Sequence, residues 1–496
     1  MKLKKILKDI PLKDVKGSKE IEITGLCANS KLVAPGNLFV AKRGRVEDGT
    51  QYIHEAVDAG AVAVLTDILD PSLKKVTQII HPHVVDIEGQ LAAHYYQFPS
   101  RQLFTVGITG TNGKTTTSFL VKHLLDQLEM PCGLIGTIEY IIGKNRYQAT
   151  RTTPDVISNH KMLREMVTQG CKAAVMEVTS HALDQGRTQN IEFDIAIFTN
   201  LTLDHLDYHQ TMENYCHAKQ KLFKDLESKK ASSNFPIAIM NADSPWTEKM
   251  LVDCKAHVLT YGLDIKARVR AKNIEFSSQG TRFTICYQGE QIKCESPLVG
   301  RFNIYNYLAA VCVGIARQEP LEKIVGILSS FSGIPGRMQR VNNDLHLNIF
   351  VDFAHTDDAL SNVLECLQEF KKGRIITVFG CGGDRDSSKR PKMAKAAEEL
   401  SDFSIVTSDN PRSENPESIC QQITQGFRKN HWKVEVDRRK AIRLAIEMAH
   451  PEDIILIAGK GHEAYQIFAH KTIEFDDRKV AAQICSEKHH LALAGS

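Results

Sequence analysis

Nowhere in the 496 residues does an uninterrupted apolar run approach the roughly 18 positions of a membrane-spanning helix. The opening MKLKKILKDIPLKDV is basic, but Asp9, Lys13 and Asp14 break it before a signal-type apolar core develops. Paired cysteines are missing as well. The 12 cysteines lie singly, with no CxxC, which argues against a disulfide scaffold or a structural zinc site and for free thiols in a reducing compartment. Excess charge of one sign is scarce: 62 basic against 59 acidic residues leave a net charge of only +3. Nucleic-acid binding through bulk basicity is thereby excluded, and an anionic ligand must be met by local basic groups. There is no internal repeat and no low-complexity tract. These absences predict a cytoplasmic protein with neither a membrane nor a nucleic-acid partner. What remains is a globular composition, 42% hydrophobic and 24% charged, long enough for about three domains.

The most informative segment is FTVGITGTNGKTT at 104–116. Phe104, Val106 and Ile108 suit a buried strand, and Phe119, Leu120, Leu124, Leu125 and Leu128 mark one face of a following helix. Glycines between a strand and a helix N-terminus expose backbone N–H groups where the helix dipole also favours anions. Lys114 adds charge for the outer phosphates of a nucleotide and Thr115 a hydroxyl for Mg²⁺. The match to a P-loop is not strict: five residues, not four, separate Gly107 from Gly113, and position 108 is Ile. ATP or GTP is the predicted ligand.

Residues 1 to about 100 alternate short strands (38–40 and 61–65) with a helix at 51–60, and Phe98-Pro-Ser-Arg101 reads as a linker. A second α/β unit runs to about Gly336. In the third, strand-like runs at 347–353, 374–380, 403–408 and 453–458 alternate with helical patterns near 358–370, 391–400, 416–427 and 438–449, the pattern of a doubly wound parallel sheet. Ligands of such sheets bind outside the carboxyl ends of the strands. Those ends carry His355, Arg385, Asp409, Arg412, His462 and Glu463 on one polar, glycine-rich rim. In the second unit the runs 173–178 and 194–200 bring Glu177 and His205 toward the P-loop rim as candidate Mg²⁺ ligands. A zinc site at His205 and His209 is the alternative, since i, i+4 spacing would set both rings on one helix face. His81, His83, His489 and His490 lack companion ligands and read as surface residues.

Ten motifs follow one another in an order that resembles the Mur ligases over nearly the whole chain. They are Gly110-Thr-Asn-Gly-Lys-Thr115, Glu177-Val-Thr-Ser-His181, Asn200 to His209, Tyr215-Cys-His-Ala-Lys219, Gly300 to Asn306, Gly336-Arg-Met338, Asp352-Phe-Ala-His355, Gly380 to Asp386, Asp409-Asn-Pro-Arg412 and Gly459-Lys-Gly-His-Glu463. The resemblance implies three α/β domains. These are an N-terminal UDP-sugar domain (1–101), a central P-loop ATPase-type parallel sheet (102–337) and a C-terminal Rossmann-like doubly wound domain (338–496). It also implies ATP-dependent amide formation: a substrate carboxylate attacks the γ-phosphate, and an amine then displaces phosphate from the acyl phosphate. The nucleophile belongs to the substrate, so no Ser or Cys nucleophile is required.

Residue by residue, the resemblance gives Gly110, Thr111, Asn112, Gly113, Lys114, Thr115, Thr116, Asn303, Arg337 and His355 to ATP. It gives Mg²⁺ to Thr115, Glu177, His205 and Lys219, the last as a carbamate, and makes Lys114, His205 and Lys219 the catalytic residues. Ser30, Thr152, Thr153, Thr179, Gln185 and Arg187 match positions that hold the substrate UDP-MurNAc-L-Ala-D-Glu, and Arg187 can take an anion in a guanidinium fork. Arg385, Asp409, Asn410, Pro411, Arg412, Gly459 and Glu463 resemble the pocket of the branch that adds meso-diaminopimelate. That amino acid differs from lysine by a far-end carboxylate, which Arg412 can grip bidentately, while Glu463 can meet its far ammonium. The chain departs from the family at Asn29, Lys31, Gln339, Phe353 and Asp357. A monomer is expected. The competing readings are a lysine-adding relative, a folylpolyglutamate synthetase, or a non-catalytic nucleotide-dependent module that binds cell-wall precursors.

Overall fold

The computed structural model describes residues 1–44, 47–226 and 236–494. They form two compact units, Met1–Arg270 with Tyr305–Ile327, and Ala271–Ile304 with Leu328–Ser496.

The first unit holds two sheets. In the smaller, strands run in the order Asp14–Lys16, Thr77–Ile80, Ala63–Thr66, Asn37–Val40, Gly25–Cys27, all parallel except the first. Its three central strands are buried at every position, as strands covered on both faces must be. The helix expected over 51–60 is split into a 3₁₀ turn, Gly49–Tyr52, and a short helix, Ile53–Asp58. The stretch 98–101 is no slack linker. Phe98 adopts a left-handed conformation and leads into the turn Pro99–Gln102, where Pro99 and Ser100 are buried.

The second sheet is built around Phe104–Thr109. Parallel partners flank it, Ile195–Phe198 on one side and Ala173–Glu177 on the other. Ile237–Asn241 and His257–Gly262 extend the first side, and Cys132–Ile135 the second, followed by the antiparallel hairpin Glu139–Ile142 and Asn145–Gln148. Because the three central strands are parallel and in register, the loop after Thr109, Glu177, and the Thr199–Asn200 turn emerge on one rim.

The second unit carries the antiparallel pair Gly280–Tyr287 and Glu290–Ser296 and a six-stranded sheet. The order of that sheet is Gln339–Arg340, Asn348–Asp352, Ile454–Ala458, Ile375–Phe379, Phe403–Val406, Trp432–Val434, parallel apart from the first. Alternate strand residues point to opposite faces, so both faces are apolar. Phe350, Phe379 and Leu456 meet helices Asp357–Gln368, Lys389–Leu400 and Pro416–Thr424. Ile349, Val378 and Ile457 meet helices Arg438–Met448 and Asp477–Ala494. Side-chain oxygens of Thr356, Asn415 and Asp437 cap three of these helices. The four central strands fall where the sequence predicts them. The two edge strands, of two and three residues, were not anticipated.

Candidate active site

Strand Phe104–Thr109 ends in Gly110, at φ +148°, and the helix Lys114–Gln127 begins after Gly113, at φ +86°. Both positions need glycine. A Cβ on Gly110 would strike the Thr199 hydroxyl, and one on Gly113 the Asn306 carboxamide. The loop is held from outside by Asn200 Oδ1, which accepts from Asn112 N (2.9 Å), and by the Thr199 hydroxyl, which donates to Asn112 O (2.6 Å). Lys114 Nζ reaches back over the loop to Gly110 O and Thr111 O, both 2.8 Å. Thr116 is buried in the first helical turn.

Glu177 closes its strand with no solvent exposure. One carboxylate oxygen accepts from the hydroxyls of Thr115 (3.0 Å) and Thr137 (2.9 Å), the other from Thr137 N (3.0 Å). Its contacts are neutral donors, and among the described residues it forms no ion pair. Thr137 was not anticipated from sequence, since it sits in the turn after another strand. Its hydroxyl lies 3.1 Å from that of Thr152 and so links the carboxylate to a predicted substrate threonine. Thr153, buried, donates to Glu177 O (2.8 Å) and accepts from Thr179 N (3.1 Å). Arg187 is already engaged: its Nε (3.0 Å) and Nη2 bind Gln185 Oε1, and its Nη1 binds Thr153 O (2.9 Å). Ser30 is buried at the start of a 3₁₀ turn that Asn29 caps.

Lys219, on helix Met212–Lys224, is 1% exposed. Its Nζ donates to Gly110 O (2.9 Å) and lies 4.6 Å from the centre of the Tyr215 ring. Burial, reinforced by the charge of Lys114, holds the pKa of its ammonium well below the usual lysine range. His205 stands at φ +53° before the four-residue helix Leu206–His209, among the rings of His181 and Tyr215. Burial lowers its pKa, Asp204 opposes the shift, and Lys114 and Lys219 add to it.

The zinc alternative fails on geometry. His205 is outside the helix, so the two rings do not share a helix face, and His209 Nε2 is committed to the Ser180 hydroxyl at 3.0 Å. Among the described residues no three His, Cys, Asp or Glu side chains are grouped so that they could hold a metal ion. Oxygen donors from Thr115 and Glu177 beside a phosphate loop instead suit Mg²⁺, which takes one or two protein groups and completes its shell with phosphate oxygens and water.

In the second unit the loops after three strands meet. Asn410 N donates to Asp409 Oδ1 (2.7 Å), and Asn410 Nδ2 donates to Glu463 Oε2 (2.8 Å). Arg412, at φ +52°, places Nη1 on Gly383 O (2.7 Å), and its backbone N donates to Ile467 O (3.0 Å). A Cβ on Gly459 would lie 2.6 Å from Asp409 Oδ2, and one on Gly383 would strike Pro411 O. Arg385 is exposed, with Nη1 on Asp384 O (3.2 Å). Behind the loops lies an ion pair that the sequence does not reveal. Arg438 and Asp477, both wholly buried, pair at 2.8 Å, and Arg438 also donates to Ser408 O (3.3 Å) and Ala458 O (3.0 Å), the chain just before each loop. Elsewhere in this unit Arg337 lies over the Phe353 ring at 5.0 Å, His355 accompanies Phe353, and Asn303 is buried with its amide on Val299 O (2.8 Å).

A glycine-built phosphate loop beside a buried carboxylate, in one α/β unit, and a guanidinium–carboxamide–carboxylate pocket on the strand ends of another define a multidomain α/β ligase. Three family models match along the chain: the Mur ligase family catalytic domain at 22–96, the Mur ligase middle domain at 108–314, and the Mur ligase glutamate ligase domain at 336–461. The chain belongs to the Mur ligase family. It is 44% identical over 98% of its length to the UDP-N-acetylmuramoyl-L-alanyl-D-glutamate--2,6-diaminopimelate ligase of Chlamydia felis, covering 99% of that protein. It is 40% identical over 98% of its length to the ligase of the same name from Caldanaerobacter subterraneus, again covering 99%. A solved structure of a UDP-N-acetylmuramoyl-L-alanyl-D-glutamate--2,6-diaminopimelate ligase matches with a TM-score of 0.73 at 31% identity, over 99% of each chain. Folylpolyglutamate synthase of Mycobacterium tuberculosis shares the fold at 17% identity, with a TM-score of 0.59 over 74% of this chain and 91% of its own.

Proposed function

We propose that this chain is an ATP-dependent ligase that joins meso-diaminopimelate to UDP-MurNAc-L-Ala-D-Glu in the synthesis of the peptidoglycan precursor, with ADP and phosphate as the other products. The observation that carries the choice of amino acid is the loop 409–412, which brings Arg412 and the Asn410–Glu463 pair to one rim. A lysine-adding pocket has no use for the guanidinium. The relatives that bear the diaminopimelate name match from end to end, and the folylpolyglutamate enzyme leaves a quarter of this chain unmatched.

The reading divides the chain into 1–101 for the UDP-sugar, 102–337 as a P-loop ATPase-type domain and 338–496 as a Rossmann-like domain. Backbone N–H groups of 110–113 and the start of the helix, with Thr115 and Thr116, receive the phosphates, and Lys114 swings from the loop carbonyls to the outer phosphate. Asn303, Arg337 and His355 contact the rest of ATP. Ser30, Thr152, Thr153, Thr179, Gln185 and Arg187 hold the UDP-sugar peptide and direct its terminal carboxylate at the γ-phosphorus. A P–O bond forms there as the bond to ADP breaks. The diaminopimelate amine, oriented by Arg385, Asp409, Asn410, Arg412, Gly459 and Glu463, then attacks the acyl carbon. Phosphate leaves and the amine proton is lost.

Thr115, Glu177 and His205 would hold Mg²⁺, which when bound offsets the charge of the phosphate oxygens and the incoming carboxylate. In its neutral form the Lys219 amine would add to CO₂ with loss of one proton, giving an anionic oxygen donor for a second Mg²⁺. The reaction takes place in the cytoplasm, where its nucleotide-linked reactants are found, and the enzyme acts as a monomer. The test is ATP-dependent phosphate release with UDP-MurNAc-L-Ala-D-Glu and meso-diaminopimelate, L-lysine or L-glutamate in parallel. Turnover with diaminopimelate alone is expected. Turnover with lysine alone would discard the pocket assignment, and none with any of the three would discard the reaction.

A further inference from the structure

Lys460 is the least expected charge in the amino-acid pocket. It follows Gly459, its side chain is wholly buried, and its three ammonium hydrogens have three acceptors: Asn410 Oδ1 (3.2 Å), Glu463 Oε2 (3.2 Å) and Tyr465 O. A lysine ammonium only donates, and so does the Ile467 N–H, which also meets Asn410 Oδ1 at 3.0 Å. Two obligate donors on one atom settle which end of the carboxamide is oxygen. Asn410 Nδ2 must then face Glu463 Oε2, where it lies at 2.8 Å. Glu463 Oε2 thus takes two hydrogen bonds from behind, one of them charge-assisted, whereas Oε1 carries none among the described residues. The carboxylate is held in one orientation, with one oxygen kept for an incoming donor.

We propose that Lys460 is a positioning residue that sets selectivity for an amino acid with a cationic far end, acting through Asn410 and Glu463 without touching the substrate. The inference rests on the reading that Glu463 meets the far ammonium of diaminopimelate. Removing Lys460 takes one of two donors from Asn410 Oδ1 and the charged donor from Glu463 Oε2, so Glu463 is free to turn and recognition of the far ammonium is lost while recognition of the far carboxylate, through Arg412, is kept.

The experiment compares kcat and KM for meso-diaminopimelate and for 2-aminopimelate, which keeps the far carboxylate and has hydrogen in place of the far amine. It uses the full chain and the variants Lys460→Met, Glu463→Gln and the double variant. The wild type should prefer diaminopimelate. Lys460→Met should raise the KM for diaminopimelate roughly 10- to 100-fold, the weight of a charge-assisted hydrogen bond. The KM values for ATP and the UDP-precursor should stay unchanged. The preference over 2-aminopimelate should fall to that of Glu463→Gln, with no further fall in the double variant. An equal loss for both amino acids, leaving the preference intact, would overturn the proposal. Lys460→Gln, which keeps a neutral donor for Tyr465 O, serves if the methionine variant does not fold, and the same comparison decides. A wild type that uses both amino acids equally would refute the role of Glu463 and this inference with it. A wild type inactive with diaminopimelate would refute the reaction itself.

Discussion

The phosphate-loop region and the amino-acid pocket handle buried charge in opposite ways. Around the loop, Glu177 is surrounded by hydroxyls and an amide, and Lys219 by a carbonyl and an aromatic ring. Each is buried without an ion-pair partner among the described residues. In the pocket, Lys460 pairs with Glu463, and Arg438 with Asp477, before any ligand enters. On the proposed reading, a carboxylate that must receive a cation, or an amine that must react with CO₂, cannot be ion-paired in advance. A pocket that reads the two ends of a dipolar amino acid must instead be fixed in advance. On that reading the first region is completed by its reactants, and the second is preorganised.

The largest effect expected from this contrast lies at Lys219. Lys219→Ala should lower kcat by about 10³-fold or more, as expected when a group binding a catalytic metal is lost. Added small carboxylates should restore part of the activity in steady-state assays, and full activity in the variant would end the carbamate reading. Next comes the preorganised side. Arg438→Ala strands Asp477 in the core and should cost about 3–5 kcal/mol in urea unfolding, whereas replacing both residues with apolar side chains should cost much less. Equal losses would mean that the pair is not acting as a unit.

A third effect is set by pH. His160 is fully buried with Nε2 on Gln189 O (2.9 Å) and no partner for Nδ1 among the described residues, and burial pushes its pKa down to about 4. The unfolded chain therefore binds a proton at this site before the folded one does. The contribution, on the order of 3 kcal/mol, is complete above the ordinary histidine pKa of about 6.5 and is lost as pH falls from there to about 4. His160→Gln should flatten that part of the stability curve, and an unchanged slope would assign it elsewhere. Arg412→Ala is the smallest and most selective change: the KM for diaminopimelate should rise roughly 10- to 100-fold with the KM for ATP unchanged. Equal rises in both would make Arg412 a structural residue.

The parts of both regions that rest on local chain geometry were legible in the sequence. Glycines at 110 and 113 announced a strand–turn–helix, and continuous runs such as Ile454–Ala458 announced buried parallel strands whose ends were expected to carry a ligand. Partnerships across sequence were not legible. Thr137 meets Glu177 from 40 residues away, and Arg438 meets Asp477 from 39. A charged residue whose partner is that distant reads as a surface residue. Lys219 and Lys460 show the same limit, since helix and loop lysines are by default solvated. The family resemblance singled out the first, and only the folded structure singles out the second. The zinc alternative at His205 and His209 rested on i, i+4 spacing, which has meaning only inside a helix, and His205 stands before one.

The division of labour between the two regions is tested most directly by separating the two chemical steps. Wild type, Lys219→Ala and Arg412→Ala would each be quenched rapidly with ATP and UDP-MurNAc-L-Ala-D-Glu, and the acyl phosphate trapped by borohydride reduction. Arg412→Ala should form the acyl phosphate as the wild type does and fail only in the transfer to diaminopimelate, while Lys219→Ala should fail to form it. Loss of acyl phosphate in Arg412→Ala would contradict the account, because the pocket would then be part of the phosphate chemistry it is held to be separate from.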